Sequence, residues 1–509
     1  WFCVLFSAMV RTLAGGTVLE VALLLLQAVR ALVSGGLLPG GAYVWERLPS
    51  LSLCLLLCHG GVDGMRWQMG PLYVASLGGV CLGELGFLYT TLSLLLSLGF
   101  VQLFPYPKLE AVPRGSYHVG IEDFEFKGQV HGLTHTINTS VFYPCEAPLK
   151  HSKMVWAKWM PDETLTLQGF LRVARQVAPL PLWFLDYLTG TKADAIVLAP
   201  PFRGRQLPSS PVVIVSHGLG ATRMSYSSLC CALASHGCVV AVVDHCDGSA
   251  AVTRFSDGHV VQFNESCLRG GARRESKDFR HSQLVTRVNE LQIAYENLRE
   301  LAQRSGHWMK DRLDFDCCVG LGHHLGAATC LAACVRAGAD QTKPRFQHLA
   351  LLSPTMEHFL QEDVEFAASH PLPQRVLCLD VPKARRPEAE GSSAARLRQI
   401  LLPMPEERRI MVEMQGATHL DHSDLAMAVP VLRLLGMSGP APAAETQRLQ
   451  NQVILNWLER GRRGQPPRAA PSITSTRRRQ ASASDTRRSW LSSSLPGSLA
   501  ARLQVKGIA

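Results

Sequence analysis

Between about residue 106 and residue 461, short β-branched runs alternate with segments of helical periodicity, and few architectures accept that pattern. The expected strands are 140–144, 195–200, 211–216, 238–244, 317–322, 348–353, 375–380 and 410–414. Alternation of this kind predicts a largely parallel sheet covered by helices, an α/β fold. Ahead of strand 317–322, Leu284, Val288, Leu291, Tyr295 and Leu298 recur at helical spacing. They predict a long amphipathic helix whose other face shows Arg287, Glu290, Glu296 and Arg299.

Composition changes at both ends of this region. A single hydrophobic core stops growing at roughly 250 to 300 residues, so a chain of 509 residues should carry additional segments. The hydrophobic fraction is 47% and the charged fraction 18%. Much of the apolar excess lies in runs 17–33, 51–62 and 71–105. A bilayer span needs about 20 apolar residues, so residues 1–105 are expected to form a membrane-embedded helical region, and the chain to be a multi-pass membrane protein. Arg11, Arg30, Arg47 and Arg66 flank the runs on several sides and fix no orientation. The chain opens on Trp1 rather than methionine, so its start is read as truncated or processed.

Residues 462–509 are rich in Ser, Arg, Pro and Gly and have little to bury, so a disordered tail is expected. The tail carries most of the net charge of +10 through Arg462, Arg463, Arg468, Arg477, Arg478, Arg479, Arg487, Arg488 and Arg502. Such a tail can attract anionic lipid, but no nucleic-acid partner is expected. Arg478, Arg479 and Ser482 resemble a basophilic kinase site. The 15 cysteines show no paired C-x-x-C at zinc spacing, and Cys230, Cys231, Cys317, Cys318, Cys330 and Cys334 sit in apolar runs. They read as small buried hydrophobes in a reducing compartment.

The most informative run is Val319-Gly320-Leu321-Gly322-His323-His324-Leu325-Gly326-Ala327-Ala328, which reads as strand, sharp turn and helix. It has the form of a nucleophile elbow, G-x-S-x-G, in which close backbone approach demands the flanking glycines. Gly322 and Gly326 meet that demand, but His324 stands where a serine is expected. Upstream, Val213-Ile214-Val215-Ser216-His217-Gly218-Leu219-Gly220 is an apolar strand ending in an H-G-x-G loop able to aim a backbone N–H at an oxyanion.

Three further runs accompany these: Cys238-Val239-Val240-Ala241-Val242-Val243-Asp244-His245-Cys246-Asp247-Gly248-Ser249-Ala250, Leu233-Ala234-Ser235-His236-Gly237, and Gly115-Ser116-Tyr117-His118-Val119-Gly120 with Phe142-Tyr143-Pro144. With Arg280, Gln283 and Arg287 in an R-x-x-Q-x-x-x-R pattern, residues 113–461 resemble the platelet-activating factor acetylhydrolases. The resemblance implies an α/β-hydrolase fold and calcium-independent hydrolysis of the short or oxidised sn-2 acyl ester of phospholipids, with no cofactor. The nucleophile position then falls on His324 and the acid position on Ser353, after Leu349-Ala350-Leu351-Leu352. The general-base position falls on His419, in Gly416-Ala417-Thr418-His419 ahead of Asp424-Leu425. The oxyanion donors fall on the backbone N–H groups of Leu219 and Leu325.

A triad needs an oxygen or sulfur nucleophile, a histidine base and a carboxylate to orient it. Loss of the serine alone costs about a millionfold in a triad enzyme, so impaired catalysis is expected. Asp380, closing strand 375–380, is a candidate migrated acid, and His324 itself could attack through a ring nitrogen. Metal binding at His323-His324 is not expected, because no carboxylates accompany the pair. His419 reads equally as a base and as a structural histidine. His118, His217, His236 and His245 read as framework. Asn138-Thr139-Ser140 and Asn264-Glu265-Ser266 fit the glycosylation rule.

Three functions fit the sequence. The first is a membrane-anchored acetylhydrolase-like protein with weakened catalysis and a retained lipid pocket, its partners being phospholipid and membrane. The second is an active phospholipid ester hydrolase with a non-standard nucleophile. The third is a non-catalytic membrane scaffold. Protein partners and oligomeric state stay open.

Overall fold

The computed structural model describes residues 18–38, 42–62, 66–81, 87–104, 107–130, 132–147, 154–174, 185–207, 209–268, 274–336, 346–382, 392–462 and 503–505. The chain divides into two compact units. One comprises Trp1–Lys108, Pro181–Thr191 and Ala428–Leu435, and the other Leu109–Leu180, Lys192–Met427 and Gly436–Ala509.

The first unit is helical, with helices Val18–Ser34, Ala42–Val62, Gly70–Cys81 and Phe87–Leu103. Among the described residues no helix is long and apolar enough to cross a membrane, which overturns the expected multi-pass embedding. The physical reason is visible in the elements. Run 71–105 is broken into helices of 12 and 17 residues, about 18 and 26 Å at 1.5 Å per residue, short of the roughly 30 Å hydrocarbon core. Helix Ala42–Val62 has 21 residues, but Arg47, Ser52 and His59 interrupt its apolar character. The helices instead bury Leu23, Leu24, Leu56, Met69, Leu72, Leu94 and Leu98 against one another. Polar groups pair inside the bundle: Arg66 with Glu20 at 2.7 Å, Gln27 with Ser76 at 2.8 Å, and His59 with Tyr73 at 2.8 Å.

The second unit is built on an 11-stranded sheet. Its strands in chain order are β1 (His118–Val130), β2 (Leu133–Cys145), β3 (Trp156–Lys158), β4 (Lys192–Val197), β5 (Ser210–Ser216) and β6 (Val239–Asp244). A small separate hairpin follows, β7 (Val252–Arg254) with β8 (Val260–Gln262). The main sheet continues with β9 (Leu313–His323), β10 (His348–Leu352), β11 (Arg375–Asp380), β12 (Arg409–Met414) and β13 (Leu503–Val505). Across the sheet the order is β13-β12-β11-β10-β9-β5-β6-β2-β1-β4-β3. From β12 to β6 every neighbouring pair is parallel. β2 joins β6 antiparallel, and β1 joins β2 in the same sense.

Each expected strand has a counterpart, and β1 is the main strand that periodicity passed over. Its sequence I-E-D-F-E-F-K alternates charge with aromatic residues, and its outer half is half-exposed. The central strands are different: Val212, Val213, Ile214 and Val215 are all buried, as parallel strands covered on both faces must be. Alternate residues Val212 and Ile214 pack with Leu284, Val288 and Leu291 of helix Arg274–Gln303 and with Ala327, Ala328 and Leu331 of helix Leu325–Arg336. The expected polar face of the long helix needs correction. Glu296 and Arg299 are exposed, whereas Arg287 and Glu290 are fully buried.

Most of the expected tail, Ser482 included, lies outside the described residues. Within it, Leu503–Val505 pairs antiparallel with β12. The six cysteines read as hydrophobes are all buried thiols.

Candidate active site

The parallel strands end along one edge, where open α/β sheets place their sites. Strand β9 runs into helix Leu325–Arg336 through His324, whose φ of 53° lies in the left-handed region. That conformation costs a residue with a Cβ roughly 1–2 kcal/mol, so the surrounding backbone has to impose it. The His324 N–H donates to the Leu352 carbonyl at 2.9 Å, and Ala328 N–H returns to the His324 carbonyl at 3.2 Å. A Cβ on Gly322 would strike the Gly326 carbonyl, and one on Gly326 would strike the carbonyl of Ser216 at the end of β5. The elbow geometry is therefore complete, and an imidazole occupies its apex.

The H-G-L-G loop packs directly beneath it. The Gly218 N–H donates to the Tyr226 hydroxyl at 3.0 Å, and that hydroxyl reaches His323 Nδ1 at 2.7 Å. Gly220 takes φ 72°, and its N–H donates to the Ser249 carbonyl. The buried Arg287 guanidinium holds the loop from behind: Nη1 donates to the His217 carbonyl at 2.8 Å, and Nε to Asp247 at 3.0 Å and Ser249 Oγ at 3.1 Å. This is the work of the R-x-x-Q-x-x-x-R pattern. Gln283 bonds the Asp247 carbonyl and Cys267, and Arg280 pairs with Glu357 at 2.6 Å. Leu219 stands between the two loop glycines, and Leu325 opens the helix.

Around the apex the structure gathers four imidazoles. The His419 ring lies 4.6 Å from His324 in an edge-on arrangement and 4.3 Å from His323. His422 lies 5.4 Å from His323. Burial and the neighbouring imidazoles hold His323 well below the ordinary histidine range, so it is neutral. Burial also lowers His422, against hydrogen bonding from Gln450 and the charge of Asp380. His419 opens a short 3-10 turn, His419–His422. Asp421 fixes that turn by accepting from Thr418 N–H at 2.6 Å, Gly439 N–H at 2.9 Å and Ser438 Oγ at 2.5 Å.

Ser353, at the end of β10, is the second residue of the site forced into a left-handed φ, at 40°. Its hydroxyl lies 2.9 Å from His422 Nε2 and 3.3 Å from Asp380 Oδ1. On its other side His422 Nδ1 meets Gln450 Oε1 at 2.6 Å. The structure thus brings His419 to His324, and Ser353 and Asp380 to His422. His422, Gln450 and Tyr226 were not among the residues singled out from sequence. The H-L-D-H spacing of 419 and 422 was the available signal for the first, while Gln450 comes from the distant helix Ala443–Arg462.

Framework readings for other histidines have concrete partners. Burial and Arg287 push His217 down to about 3, and its Nδ1 meets the Gly218 carbonyl. His236 bonds the Ala232 carbonyl. Of the two glycosylation patterns, Asn138 is buried, its amide donating to the Arg254 carbonyl, while Asn264 is exposed.

The family model for platelet-activating factor acetylhydrolase, isoform II, matches residues 107–465. This chain belongs to the platelet-activating factor acetylhydrolase family. It is 27% identical to the platelet-activating factor acetylhydrolase of Bos taurus over 371 residues, which is 69% of this chain and 77% of that protein. The Cavia porcellus protein of the same name is 25% identical over 368 residues, again 69% and 77%. A putative phospholipase A2 of Schizosaccharomyces pombe is 28% identical over 200 residues, 35% of this chain and 40% of that protein. Among solved structures, a ferulic acid esterase from Streptomyces cinnamoneus superposes with a TM-score of 0.50 at 17% identity, covering 73% of this chain and 97% of that one. Fold and family agree on the α/β-hydrolase arrangement, a mostly parallel sheet between helices. Membership extends slightly beyond both ends of the resemblance read at 113–461.

Proposed function

We propose that this chain is an acetylhydrolase-family protein that engages phospholipid-like esters but hydrolyses them poorly. The observation that carries the reading is the His324 apex, strained at φ 53° between two glycines that admit no side chain, with the His419 ring beside it. The turn that should present an oxygen presents a ring nitrogen instead. Acyl transfer through a triad passes the nucleophile's proton to a base held in one tautomer by a carboxylate. With a serine at 353, the acid position supplies a hydroxyl rather than a charge.

The loop and the base position do not share this loss. Leu219 and Leu325 N–H groups lie in the segments where oxyanion donors belong, and the backbone that aims them is tied down by Arg287 and Tyr226. Turnover of a short-chain phospholipid ester by the purified chain should accordingly be at background, and His324→Ser should raise it by at least about a hundredfold, a fraction of the millionfold a missing serine removes. His419→Ala on that background should abolish the gain. Equal turnover by wild type and His324→Ser would overturn impairment, and silence of both would overturn retention of the remaining machinery.

One observation favours a second reading, hydrolysis through a non-standard nucleophile. The Ser353 hydroxyl, His422 imidazole and Gln450 carbonyl form a hydrogen-bonded chain of 2.9 and 2.6 Å. A hydroxyl, a base and an orienting acceptor are the ingredients of an activated nucleophile. Against it, Ser353 and His422 are both buried, and the hydroxyl is shared with Asp380.

A further inference from the structure

We infer that His135, Cys246 and Glu290 form a binding site for a thiophilic divalent cation of the zinc class. The three residues come from separate elements: β2, the turn after β6, and helix Arg274–Gln303. One ligand atom from each, imidazole nitrogen, sulfur and carboxylate oxygen, lies within 4.8 Å of the other two. His135 Nε2 is already 3.0 Å from Glu290 Oε1. Zinc takes nitrogen and oxygen at about 2.0 Å and sulfur at about 2.3 Å, so a tetrahedral ion sets its ligand atoms roughly 3.3 to 3.6 Å apart. The nitrogen–oxygen pair nearly has that separation, and the sulfur lies within 4.8 Å of both.

The electrical setting asks for a cation. Glu290 is fully buried, and its ion pairs among the described residues are both with imidazoles, His135 at 3.0 Å and His245 at 2.5 Å. His245 is itself buried and addresses only the second carboxylate oxygen, Oε2, among the contacts it makes with Glu290. The nearby guanidinium, Arg287, is committed to Asp247, Ser249 and the His217 carbonyl. A buried carboxylate is costly unless it is paired, and a divalent ion is a stronger partner than an imidazole.

The surroundings also suit a metal. His245 Nδ1 bonds the second oxygen, Oε2, and Cys246 N–H donates to Oε1 at 2.9 Å, which together orient the carboxylate as outer partners orient metal ligands. The Cys246 thiol meets the carbonyl oxygens of Thr136 and Asp244, each at 3.7 Å. On binding, the thiol proton passes to solvent and the sulfur enters as thiolate, balancing the ion's two charges with the carboxylate. His135 is 30% exposed, which leaves a route in from solvent. Mixed nitrogen, sulfur and oxygen donors select zinc-like ions over calcium or magnesium, which prefer all-oxygen sets.

The test uses the full chain carrying Cys54→Ser and Cys58→Ser, which removes two exposed thiols of helix Ala42–Val62. After dialysis against a chelator, cobalt(II) is titrated in and the thiolate-to-cobalt charge-transfer band followed, with zinc bound per chain measured by elemental analysis. One equivalent is expected. The charge-transfer band should vanish in Cys246→Ser, and affinity should fall at least tenfold in His135→Ala, both relatively accessible positions. Zinc should also raise the melting temperature of the parent but not of Cys246→Ser. Absence of stoichiometric binding, or binding unmoved by both substitutions, would overturn the site whatever the esterase assays show.

Discussion

The backbone around the elbow and the side chains at its apex have had opposite fates. Gly322, Gly326, Gly218 and Gly220 keep the close approaches and turns of a working hydrolase, and Arg287 still clamps the loop. At the apex stand His324 and Ser353, which the proposed reading places at the nucleophile and acid positions. The difference shows that the two parts answer to different constraints. The backbone is part of the core, since Gly326 rests on the Ser216 carbonyl, and no change of chemistry frees it. Polar groups at the edge of the sheet carry little packing, so their replacement leaves the fold intact.

That contrast can be broken or sharpened in four ways. The largest effect is expected from Gly326→Val, where a side chain would displace the end of β5. A loss of at least about 3 kcal/mol in denaturant unfolding should result, and a mild effect would mean the elbow is not held by packing. Arg287→Ala strips the buried partner from Asp247 and should cost about 3–5 kcal/mol, with loosened hydrogen exchange in the 216–220 loop.

A third variant addresses a buried acid outside the apex. Burial raises Asp424 to about 7, against hydrogen bonds from Ser227 and Ser228. The unfolded chain therefore ionises first, near pH 4, while the native state keeps its proton. Stability from this group is full below that pH and is lost as pH rises through about 7, by on the order of 2–4 kcal/mol. Asp424→Asn should flatten the pH dependence of unfolding across this window. An unchanged slope would exclude Asp424 as its source. The smallest effect is expected at the apex itself: His324→Gly relieves the left-handed strain and should stabilise by about 1 kcal/mol. Destabilisation would show that the imidazole contributes packing of its own.

The pattern of legibility follows the same division. Gly322 and Gly326 revealed the elbow because steric demands leave glycine as the plain solution, and V-V-I-V revealed β5 because a strand covered on both faces must be apolar throughout. Helix Arg274–Gln303 was legible in its apolar stripe, yet Arg287 and Glu290 were assigned outward by periodicity and lie inside. Periodicity reports average polarity and cannot see a buried partner such as Asp247. His422 and Gln450 were missed for a related reason, since only the tertiary fold joins the 419–422 turn to a helix 28 residues on. The membrane reading failed because summed hydropathy over 71–105 does not register that the segment forms two helices.

Labelling with a fluorophosphonate, followed by mass-spectrometric mapping of the adduct, tests most directly whether an attacking oxygen exists in this site. Wild type should stay unlabelled, and His324→Ser should carry one adduct, at position 324. An adduct on any residue of the wild-type chain, Ser353 above all, would contradict the proposed loss of the nucleophile.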